Sequence, residues 1–493
     1  MSGSEQGAGG EPSRDLLAAR REKLERLRAE GIDPFPHAFP GVTPISQVRE
    51  SFGSLGPGEE TEERRRVAGR LSARRVSGGA AFLDLVDRSG RVQLMARVDA
   101  LGRDRYERLL ALDLGDLLGA DGVVATTRTG ELSIVVESFT VLAKSLRPPP
   151  DKRHGLRDVE TRLRQRELDL MANPQTRELF VRRAQVVAAL RRFLDAEGFV
   201  EVETPVLQPL YGGALARPFT TYHNALDRRL YLRIATELYL KRCIVGGLER
   251  VYELGKDFRN EGLSPKHNPE FTMLEWYEAY ADYVQVADRC ERLVAQVARE
   301  VGYRGEVDFT PPWRRLTVRE AILERTGIDI LAHRERDSLA AAMRERGLDA
   351  PEADTWPQLV DLELISKHVE PTLREPTFLL DYPVELSPFA KRHRSEEGLV
   401  ERFEAFAGGL EFANAFTELN DPDEQRARFE AQLEEARAGD REAQPYDESF
   451  VRALEYGMPP TAGIGIGIDR LVMLLTDRPS IREVVLFPAL REP

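Results

Sequence analysis

Hydrophobic and polar positions follow different periods in successive parts of the chain. Leucines at helical spacing predict a first helix over residues 14–30, with Ser13 as its cap and Gly31 at its end. From Val67 to Val141 the period becomes that of β-strands. Five strands are predicted there, over residues 67–73, 80–86, 91–98, 122–127 and 133–141, with a turn at 87–90 and a helix near 104–112.

This order of elements predicts an OB-fold, a small β-barrel that often binds single-stranded nucleic acid. We therefore expect an α+β protein with an N-terminal extension (residues 1–62, disordered over 1–13) before the barrel (63–147). Three prolines at 148–150 open a linker (148–172), and a larger domain (173–493) follows. In that domain, residues 179–205 predict an amphipathic helix and then a strand over 200–204 that ends at Pro205.

The predicted barrel carries side chains that suit single-stranded nucleic acid. Phe82 can stack on a base, and Gln93 on the neighbouring strand can read a base edge. Phe82 could equally be a core residue. The first helix also has two interpretations, a solvated surface helix or an auxiliary contact to RNA phosphates. Cations for the phosphates come from a cluster of arginines: Arg64, Arg65, Arg66, Arg70, Arg74 and Arg75.

Composition narrows the class of protein. The chain is 42% hydrophobic and 31% charged, and its formal net charge of −13 argues against a general nucleic-acid coat protein, although a local basic patch can act on an acidic body. The two cysteines, Cys243 and Cys290, lie outside any C-x-x-C or Cys/His cluster, so we expect no zinc. Without a long apolar run or an apolar leader, we expect no membrane association and a cytoplasmic location.

Two segments of the larger domain suit nucleotide chemistry, although the chain lacks P-loop and Rossmann patterns. In the first, a predicted hairpin contains Phe-Arg-Asn-Glu-Gly and, further on, Phe271. Arg259 can hold two oxygens of a phosphate or carboxylate, and Phe271 can cover a purine. In the second, Gly-Ile-Gly-Ile-Gly-Ile-Asp-Arg allows a close approach to the backbone and places Arg470 near a helix start.

Together with the helix and strand that end at Pro205, these segments resemble the three signature motifs of class II aminoacyl-tRNA synthetases. The N-terminal barrel is similar to that of the Asp, Asn and Lys subgroup, and residues from about Val67 to Pro488 resemble bacterial lysyl-tRNA synthetases. The resemblance implies an antiparallel catalytic sheet flanked by helices. It also implies a ligase that activates L-lysine with ATP to lysyl-adenylate and pyrophosphate, then transfers lysine to the 3′ end of tRNA(Lys).

The resemblance also implies a role for individual residues. Arg259 and Arg470 are the catalytic cations, and Glu404 and Glu411 bind Mg²⁺, with up to three ions alongside ATP. Pro205 packs at a homodimer interface, and Arg74, Phe82 and Gln93 contact the anticodon. The ATP-binding residues are Arg259, Glu261, His267, Asn268, Phe271, Glu411 and Arg470. The lysine-binding residues are Gly213, Glu237, Arg259, Glu275, Tyr277, Asn414, Phe416 and Glu418.

The charges of the candidate pocket residues support the lysine assignment separately. Three of the pocket candidates, Glu237, Glu275 and Glu418, are carboxylates, and apart from Arg259 none is basic, as a substrate with two ammonium groups requires. By resemblance, Glu237 takes the α-amine, and Tyr277 and Glu418 take the ε-amine. Taken singly, each acid could instead be a surface charge.

Three positions depart from the family pattern, and three other functions stay open. Leu215 replaces a smaller residue, Thr236 a proline and Lys266 an arginine, so amino-acid preference and ATP contacts could differ. The alternatives are an Asp or Asn synthetase, a paralogue that lysylates a protein or makes a signalling nucleotide, and a non-catalytic RNA-binding or scaffold protein. The acidic pocket argues against the Asp or Asn enzyme, and the barrel argues against the paralogue. A non-catalytic protein would not need the retained charged residues Arg259, Glu404, Glu411 and Arg470.

Overall fold

The computed structural model describes residues 14–150, 156–214, 216–352, 354–438 and 445–491. Ser13, Leu215 and the expected disorder of residues 1–13 lie outside these ranges. The chain divides into two compact units, Met1–Pro174 and Gln175–Pro493. Among the described residues, no helix combines the length and apolar character that crossing a bilayer requires.

The first unit contains a closed five-stranded barrel with the strand order β1-β2-β3-β5-β4. This is the predicted OB-fold, with the additional helix between the third and fourth strands. Its elements are α1 (Arg14–Ala29), α2 (Ile45–Phe52), β1 (Glu60–Ser77), β2 (Ala80–Val86), β3 (Arg91–Arg97), α3 (Val98–Leu101), α4 (Arg103–Ala111), β4 (Leu117–Thr126), β5 (Leu132–Ala143), α5 (Val159–Arg164) and α6 (Arg166–Ala172).

The barrel core is formed by the alternate apolar residues of its strands. In β2, Ala81, Leu83 and Leu85 are buried, and they pack against apolar residues of the other strands. Two strands begin well before their predicted starts, since β1 begins at Glu60 and β4 at Leu117. The extra residues were missed because the first part of β1 is highly charged and pairs with β4 at the barrel surface.

Helix α1 is attached to the barrel rather than freely solvated. The guanidinium of Arg20 is buried and donates hydrogen bonds to the carbonyl oxygens of Ser145 (3.0 Å) and Leu114 (3.1 Å). Lys23 Nζ lies 2.6 Å from Asp113 Oδ1. Two of the basic side chains that could have met RNA phosphates therefore hold the helix in place.

The second unit contains an eight-stranded sheet with the order β12-β13-β14-β15-β16-β11-β10-β6 and a three-stranded sheet with the order β7-β9-β8. Its strands are β6 (Val200–Glu201), β7 (Leu207–Gln208), β8 (Thr220–His223), β9 (Arg228–Leu232), β10 (Arg250–Phe258), β11 (Glu270–Ala279), β12 (Arg314–Thr317), β13 (Thr377–Pro383), β14 (Leu399–Ala407), β15 (Leu410–Thr417) and β16 (Thr461–Gly467). Its helices are α7 (Pro174–Ala196), α8 (Glu237–Val245), α9 (Tyr283–Glu300), α10 (Val318–Thr326), α11 (Arg336–Glu345), α12 (Trp356–Gln358), α13 (Pro422–Ala438), α14 (Glu448–Glu455), α15 (Ile468–Leu475) and α16 (Ile481–Val484), with a π-helical segment at Leu359–Val369.

The central strands of the large sheet are antiparallel, and only the pairs β6–β10 and β12–β13 are parallel. Helix α7 buries the predicted apolar side against this sheet, through Val186, Leu190, Phe193 and Leu194. Helix α9 buries its Leu293 and Val294 in the same cluster. This cluster lies on one face of the sheet. Smaller clusters that include α8 and α10 cover parts of the opposite face, and the part between them is left for a site.

The strand expected over residues 200–204 is much shorter, because only Val200 and Glu201 pair with β10. The chain then leaves the sheet at Thr204, whose backbone N–H and Oγ both donate to a carboxylate oxygen of Glu253 (3.1 and 2.7 Å). Pro205, which follows, is exposed.

Candidate active site

Strand register places two rows of residues across the face of the large sheet that lies opposite α7 and α9. Glu404 of β14 pairs with Asn414 of β15, which pairs with Gly465 of β16, which pairs with Glu275 of β11. The parallel row, two residues along, runs through Arg402, Phe416, Gly463 and Tyr277. Since side chains two residues apart share a face, both rows point into one cavity of about 460 Å³.

The glycines of β16 create the depth of this cavity. A Cβ at Gly463 would collide with the ring of Tyr277 and with the Oε1 atom of Glu418. At Gly465 it would lie 3.6 Å from Met273 Sδ and 3.7 Å from the Cγ of Glu275. In the Gly-Ile-Gly pattern, the isoleucines are thus buried in the core. The glycines between them let side chains from neighbouring segments lie directly against the backbone of β16.

A β-bulge in β15 brings Glu411 to the same face. The pairing shifts between Ala405–Ala413 and Phe406–Glu411, which leaves Phe412 as an extra residue. Phe412 and Ala413 are both buried as a result, whereas Glu411, Asn414 and Phe416 are partly accessible. Strict alternation would have turned Glu411 away from Asn414.

The hairpin of β10 and β11 supplies the cationic and aromatic side chains. The guanidinium of Arg259 lies 5.1 Å from the centre of the Phe271 ring, and its Nε donates to the carbonyl oxygen of Ile234 (3.4 Å). Asn268 is buried and bonds to Glu270 O and to the N–H of Ala489, which ties the loop to the C-terminal segment. Glu261 lines the cavity from the same loop.

Arg470 links the hairpin loop to β15. Its guanidinium donates to the carboxylate and to the backbone carbonyl (2.9 Å) of Glu411, and to His267 Nε2 (3.0 Å). His267 Nδ1 then carries the proton and donates to Ser264 Oγ at 2.8 Å. Burial, together with the charge of Arg470, lowers the pKa of His267, so the ring is neutral at pH 7.

The floor of the cavity is strongly acidic. Glu275 accepts hydrogen bonds from the Thr236 N–H (3.2 Å) and the Tyr277 hydroxyl (3.1 Å). Burial, with the nearby charges of Asp257 and Glu237, raises the pKa of Glu275 to about 8. Burial also raises the pKa of Glu418 to about 8, although Lys241 opposes that shift.

Two cations in this site were missed by reasoning from sequence, which found no base among the pocket candidates other than Arg259. Lys241 Nζ lies 2.6 Å from Glu237 Oε1 and 2.5 Å from Glu418 Oε2. Arg402 donates to Asn414 Oδ1 (2.9 Å) and to Glu404 Oε1 (2.6 Å). The pairing of Glu237 and Lys241 at i and i+4 is visible in the sequence, but it looks the same as an exposed ion pair on a helix surface.

Glu404 and Glu411 are the pair expected to bind metal. Glu404 accepts hydrogen bonds from Tyr382 (2.7 Å) and Arg402, and burial raises its pKa to about 7, with Arg402 opposing and Glu411 adding to the shift. Oxygen donors from one or two carboxylates, completed by phosphates and water, are the usual protein environment of Mg²⁺. The donor set therefore fits magnesium bound together with a polyphosphate.

The expected ATP, lysine and metal residues come together in space. All of them line the cavity except Glu418, which is buried directly behind Gly463. Thr236 and Lys266 lie nearby, the first buried at the start of α8 and the second 3.7 Å from the carboxylate of Glu370. A cavity that holds both arginines and an acidic floor can bind a triphosphate beside a cationic amino acid.

A second group of candidates lies on strands β1, β2 and β3 of the barrel, outside the main barrel core. Phe82 is half-buried and belongs to a small cluster with Met95, Ala125 and Val135, separate from the barrel core. Gln93, on the same face, is buried and accepts a hydrogen bond from Ser133 Oγ (3.1 Å). The position of Phe82 outside the barrel core favours stacking on a base over core packing, the two interpretations that the sequence allowed.

Most of the arginine cluster is engaged with the barrel itself. Arg74 donates to the carbonyl oxygens of Leu110 and Leu112, and Arg70 to that of Gly115. Arg64 pairs with Glu137 and Arg66 with Asp121. A phosphate would therefore compete with existing partners at these positions.

Comparison with known protein families agrees with the division into barrel and sheet. Residues 158–491 match the model of class II tRNA synthetases for Asp, Lys and Asn, and residues 66–142 match that of the OB-fold nucleic acid binding domain. The chain belongs to the class II aminoacyl-tRNA synthetase family, in the group specific for those three amino acids.

Individual relatives narrow this group to one amino acid. The chain is 52% identical to the lysine–tRNA ligase of Moorella thermoacetica, over 98% of this chain and 99% of that one. It is 51% identical to the lysine–tRNA ligase of Thermosynechococcus vestitus, over 97% of each chain. A lysine–tRNA ligase from a Synechococcus strain is 52% identical over 97% of this chain and 99% of its own.

Proposed function

We propose that this protein is a lysine–tRNA ligase, which activates L-lysine with ATP and transfers it to the 3′ end of tRNA(Lys). The observation that carries the proposal is the acidic floor of the cavity. Glu237 and Glu275 are buried in its lining, and Glu418 is buried directly behind Gly463. Arginines that suit a triphosphate lie in the same cavity. An aspartate substrate would place a second carboxylate against these acids, which is unfavourable in a buried site.

The two ammonium groups of lysine have separate partners in this proposal. Glu237, in the first turn of α8, takes the α-ammonium, and Gly213 leaves room above it, since a Cβ at Gly213 would lie 3.0 Å from Glu237 Cβ. Glu418 and Tyr277 take the ε-ammonium. Glu418 Oε1 is buried and accepts no hydrogen bond from the described residues, so a donor from the substrate would satisfy it.

The remaining pocket residues hold the rest of the amino acid. Arg259 pairs with the substrate carboxylate. Asn414 and Phe416 lie on β15 beside Arg402, which contacts the Asn414 amide and lies 5.8 Å from the Phe416 ring. Arg402 thereby fixes both side chains against the aliphatic part of the substrate. Glu275 completes the floor and orients Tyr277 through its hydrogen bond.

ATP lies along the hairpin. Phe271 stacks on adenine, and Glu261, His267 and Asn268 hold the loop and the nucleotide. Arg259 contacts the α-phosphate, and Arg470 the γ-phosphate. Both arginines already lie at one cavity, and neutral His267 orients Arg470 by accepting its hydrogen bond.

Magnesium is the cofactor that this donor set suits. When bound with ATP, Mg²⁺ neutralises phosphate charge and lowers the cost of charge development at the α-phosphorus. Glu404 and Glu411 would hold it. Up to three ions per site and the absence of zinc remain parts of the proposal.

Activation requires positioning and charge neutralisation rather than an enzyme nucleophile. The lysine carboxylate attacks the α-phosphorus, the bond to pyrophosphate breaks, and Arg259 stabilises the negative charge that develops on the α-phosphate oxygens. The terminal hydroxyl of tRNA then attacks the carbonyl of the mixed anhydride and releases AMP. No covalent bond to the protein forms in this scheme.

The barrel would read the anticodon. Phe82 offers a face for a base, Gln93 an amide for its edge, and Arg74 a cation near the backbone. This barrel also argues against a paralogue that acts on a protein or makes a signalling nucleotide. A homodimer through the region of Pro205, which is exposed, and a cytoplasmic location complete the proposal.

ATP–pyrophosphate exchange with each of the twenty amino acids tests the assignment. Exchange driven by lysine, followed by lysine-dependent charging of total tRNA, is the expected result. Exchange driven by aspartate or asparagine instead would overturn it. Arg259→Ala should abolish exchange because the α-phosphate loses its cation; a nearly normal rate would show that the hairpin is not the ATP site.

A further inference from the structure

Lys241 is a fully buried lysine between two of the carboxylates that the proposed substrate would use. None of its side chain is exposed, and it pairs with Glu237 at 2.6 Å and Glu418 at 2.5 Å. Its Nζ lies 5.3 Å from the centre of the Phe389 ring. Burial lowers the pKa of Lys241, but the charges of Glu237 and Glu418 more than offset this and hold the pKa above its ordinary value. Lys241 is therefore a permanent cation of the site.

Its position connects the two ends of the pocket. Glu237 lies one helical turn before Lys241 in α8, and Glu418 directly follows β15. Glu275 and Tyr277 of β11 are the next titratable groups, and Tyr277 lies against Gly463 beside Glu418. One ammonium thus fixes the carboxylate for the α-amine relative to the carboxylate for the ε-amine.

We propose that Lys241 is a positioning and specificity-determining residue that sets the charge of the lysine pocket. This inference rests on the proposed function. When lysine is bound and all three carboxylates are ionised, they and the Lys241 ammonium leave two negative charges in excess, which equal the two ammonium groups of L-lysine. The substrate carboxylate is matched separately by Arg259.

The alternative without Lys241 is unfavourable in physical terms. Three buried carboxylates would then face two ammonium groups, and one carboxylate would stay unpaired or keep a proton. Glu237 and Glu418 would also repel each other and separate. Both effects weaken lysine binding and leave the ATP contacts at the hairpin unaffected.

Lys241→Met keeps a side chain of similar length and removes the charge. In ATP–pyrophosphate exchange we expect the KM for lysine to rise about 10–100-fold, with the KM for ATP changed by less than about twofold. Cadaverine, which has two ammonium groups and no carboxylate, provides a second measurement. Its inhibition constant should rise by a similar factor, because it depends on the acidic floor and not on Arg259.

The barrel offers a matched control. Lys144 is also buried, and its Nζ bridges Asp113 (2.8 Å) and Asp116 (2.9 Å). Lys144→Met should lower the thermal stability of the protein but leave the KM for lysine in the exchange reaction unchanged. If Lys241→Met acted only by breaking a buried ion pair, it would change thermal stability and the KM for lysine in the same way as Lys144→Met.

Lys241→Arg is the second test variant, to be used if Lys241→Met does not fold. The longer, forked side chain keeps the charge but displaces Glu237 and Glu418, so the KM for lysine should still rise selectively. An unchanged KM for lysine in the folded variants, or equal increases for lysine and ATP, would overturn the inference. Absence of lysine-dependent exchange in the unsubstituted protein is a different result, which would overturn the proposed function itself.

Discussion

At the scale of residues, Glu275 and Glu418 hold protons at a pH where most carboxyl groups have lost them. Burial, with neighbouring negative charge, raises the pKa of both to about 8. Both interact with the charge of Glu237, so their titration belongs to the group rather than to either residue. In the proposed function, the two ammonium groups of lysine bind the ionised forms, so lysine binding releases protons.

We predict that the KM for lysine falls as the pH rises from about 6.5 to about 8. The carboxyls lose their protons across this window without help from the substrate, so the energetic cost of ionising them disappears. A fall of about tenfold, measured by pyrophosphate exchange at saturating ATP, corresponds to the release of roughly one proton. Glu275→Gln should flatten the profile, because one of the titrating groups is gone. A KM that is constant or rises over this range would contradict the assignment of these acids to lysine.

At the scale of elements, the site depends on how strand β16 allows its neighbours to approach. Tyr277 and Glu418 occupy the space where a side chain on Gly463 would lie. We predict that Gly463→Ala raises the KM for lysine by about tenfold or more, since the methyl group displaces both proposed partners of the ε-ammonium by a fraction of an ångström or more. Pyrophosphate exchange with varied lysine and then varied ATP measures the selectivity of the defect.

Gly467→Ala is the matched control for this strand. A Cβ there would lie at ordinary contact distances, 3.7 Å from Arg470 Cδ and from the carbonyl oxygen of Phe412. It should leave the KM for lysine nearly unchanged. Equal losses in the two variants would mean that any methyl group on β16 disturbs the sheet, and that Gly463 has no special relation to lysine.

Local patterns predicted the elements well and their ends less well. Alternation identified the five barrel strands, and glycine alternation marked β16 as a place of close approach. The bulge at Phe412 could not be predicted, since it depends on the register with β14 and leaves no pattern in β15 alone. The predicted strand over 200–204 was wrong because the Glu253 carboxylate takes the N–H of Thr204 out of the ladder.

Side chains whose partners are distant in sequence were the hardest to predict. Lys241 follows Glu237 by one helical turn, a spacing that is common on exposed helices, and its second partner, Glu418, lies in another part of the chain. Arg402 likewise acts through Asn414, across a strand pair. The family resemblance supplied the groups expected to touch substrate, whereas the groups that position them became visible only in the fold.

At the scale of the whole molecule, the chain separates into a barrel unit and a sheet unit with different chemistry. The residues expected to activate lysine all lie in the second unit, Gln175–Pro493, and the expected anticodon residues all lie in the first. In the proposed function, adenylate formation needs only the cavity of the sheet unit, whereas charging needs tRNA as well. Substitutions on the barrel surface should therefore separate the two reactions.

Phe82→Ala provides the test of this separation. Its ring is half-buried in a small surface cluster, so its loss removes a stacking face without opening the barrel core. Because stacking of a base on an aromatic ring contributes about 1–3 kcal/mol, we predict a drop of about tenfold or more in kcat/KM for tRNA, with pyrophosphate exchange unchanged. Phe35→Ala removes an exposed aromatic from the N-terminal extension and should alter neither reaction. If exchange and charging fell together in Phe82→Ala, the barrel would support the catalytic unit rather than read RNA.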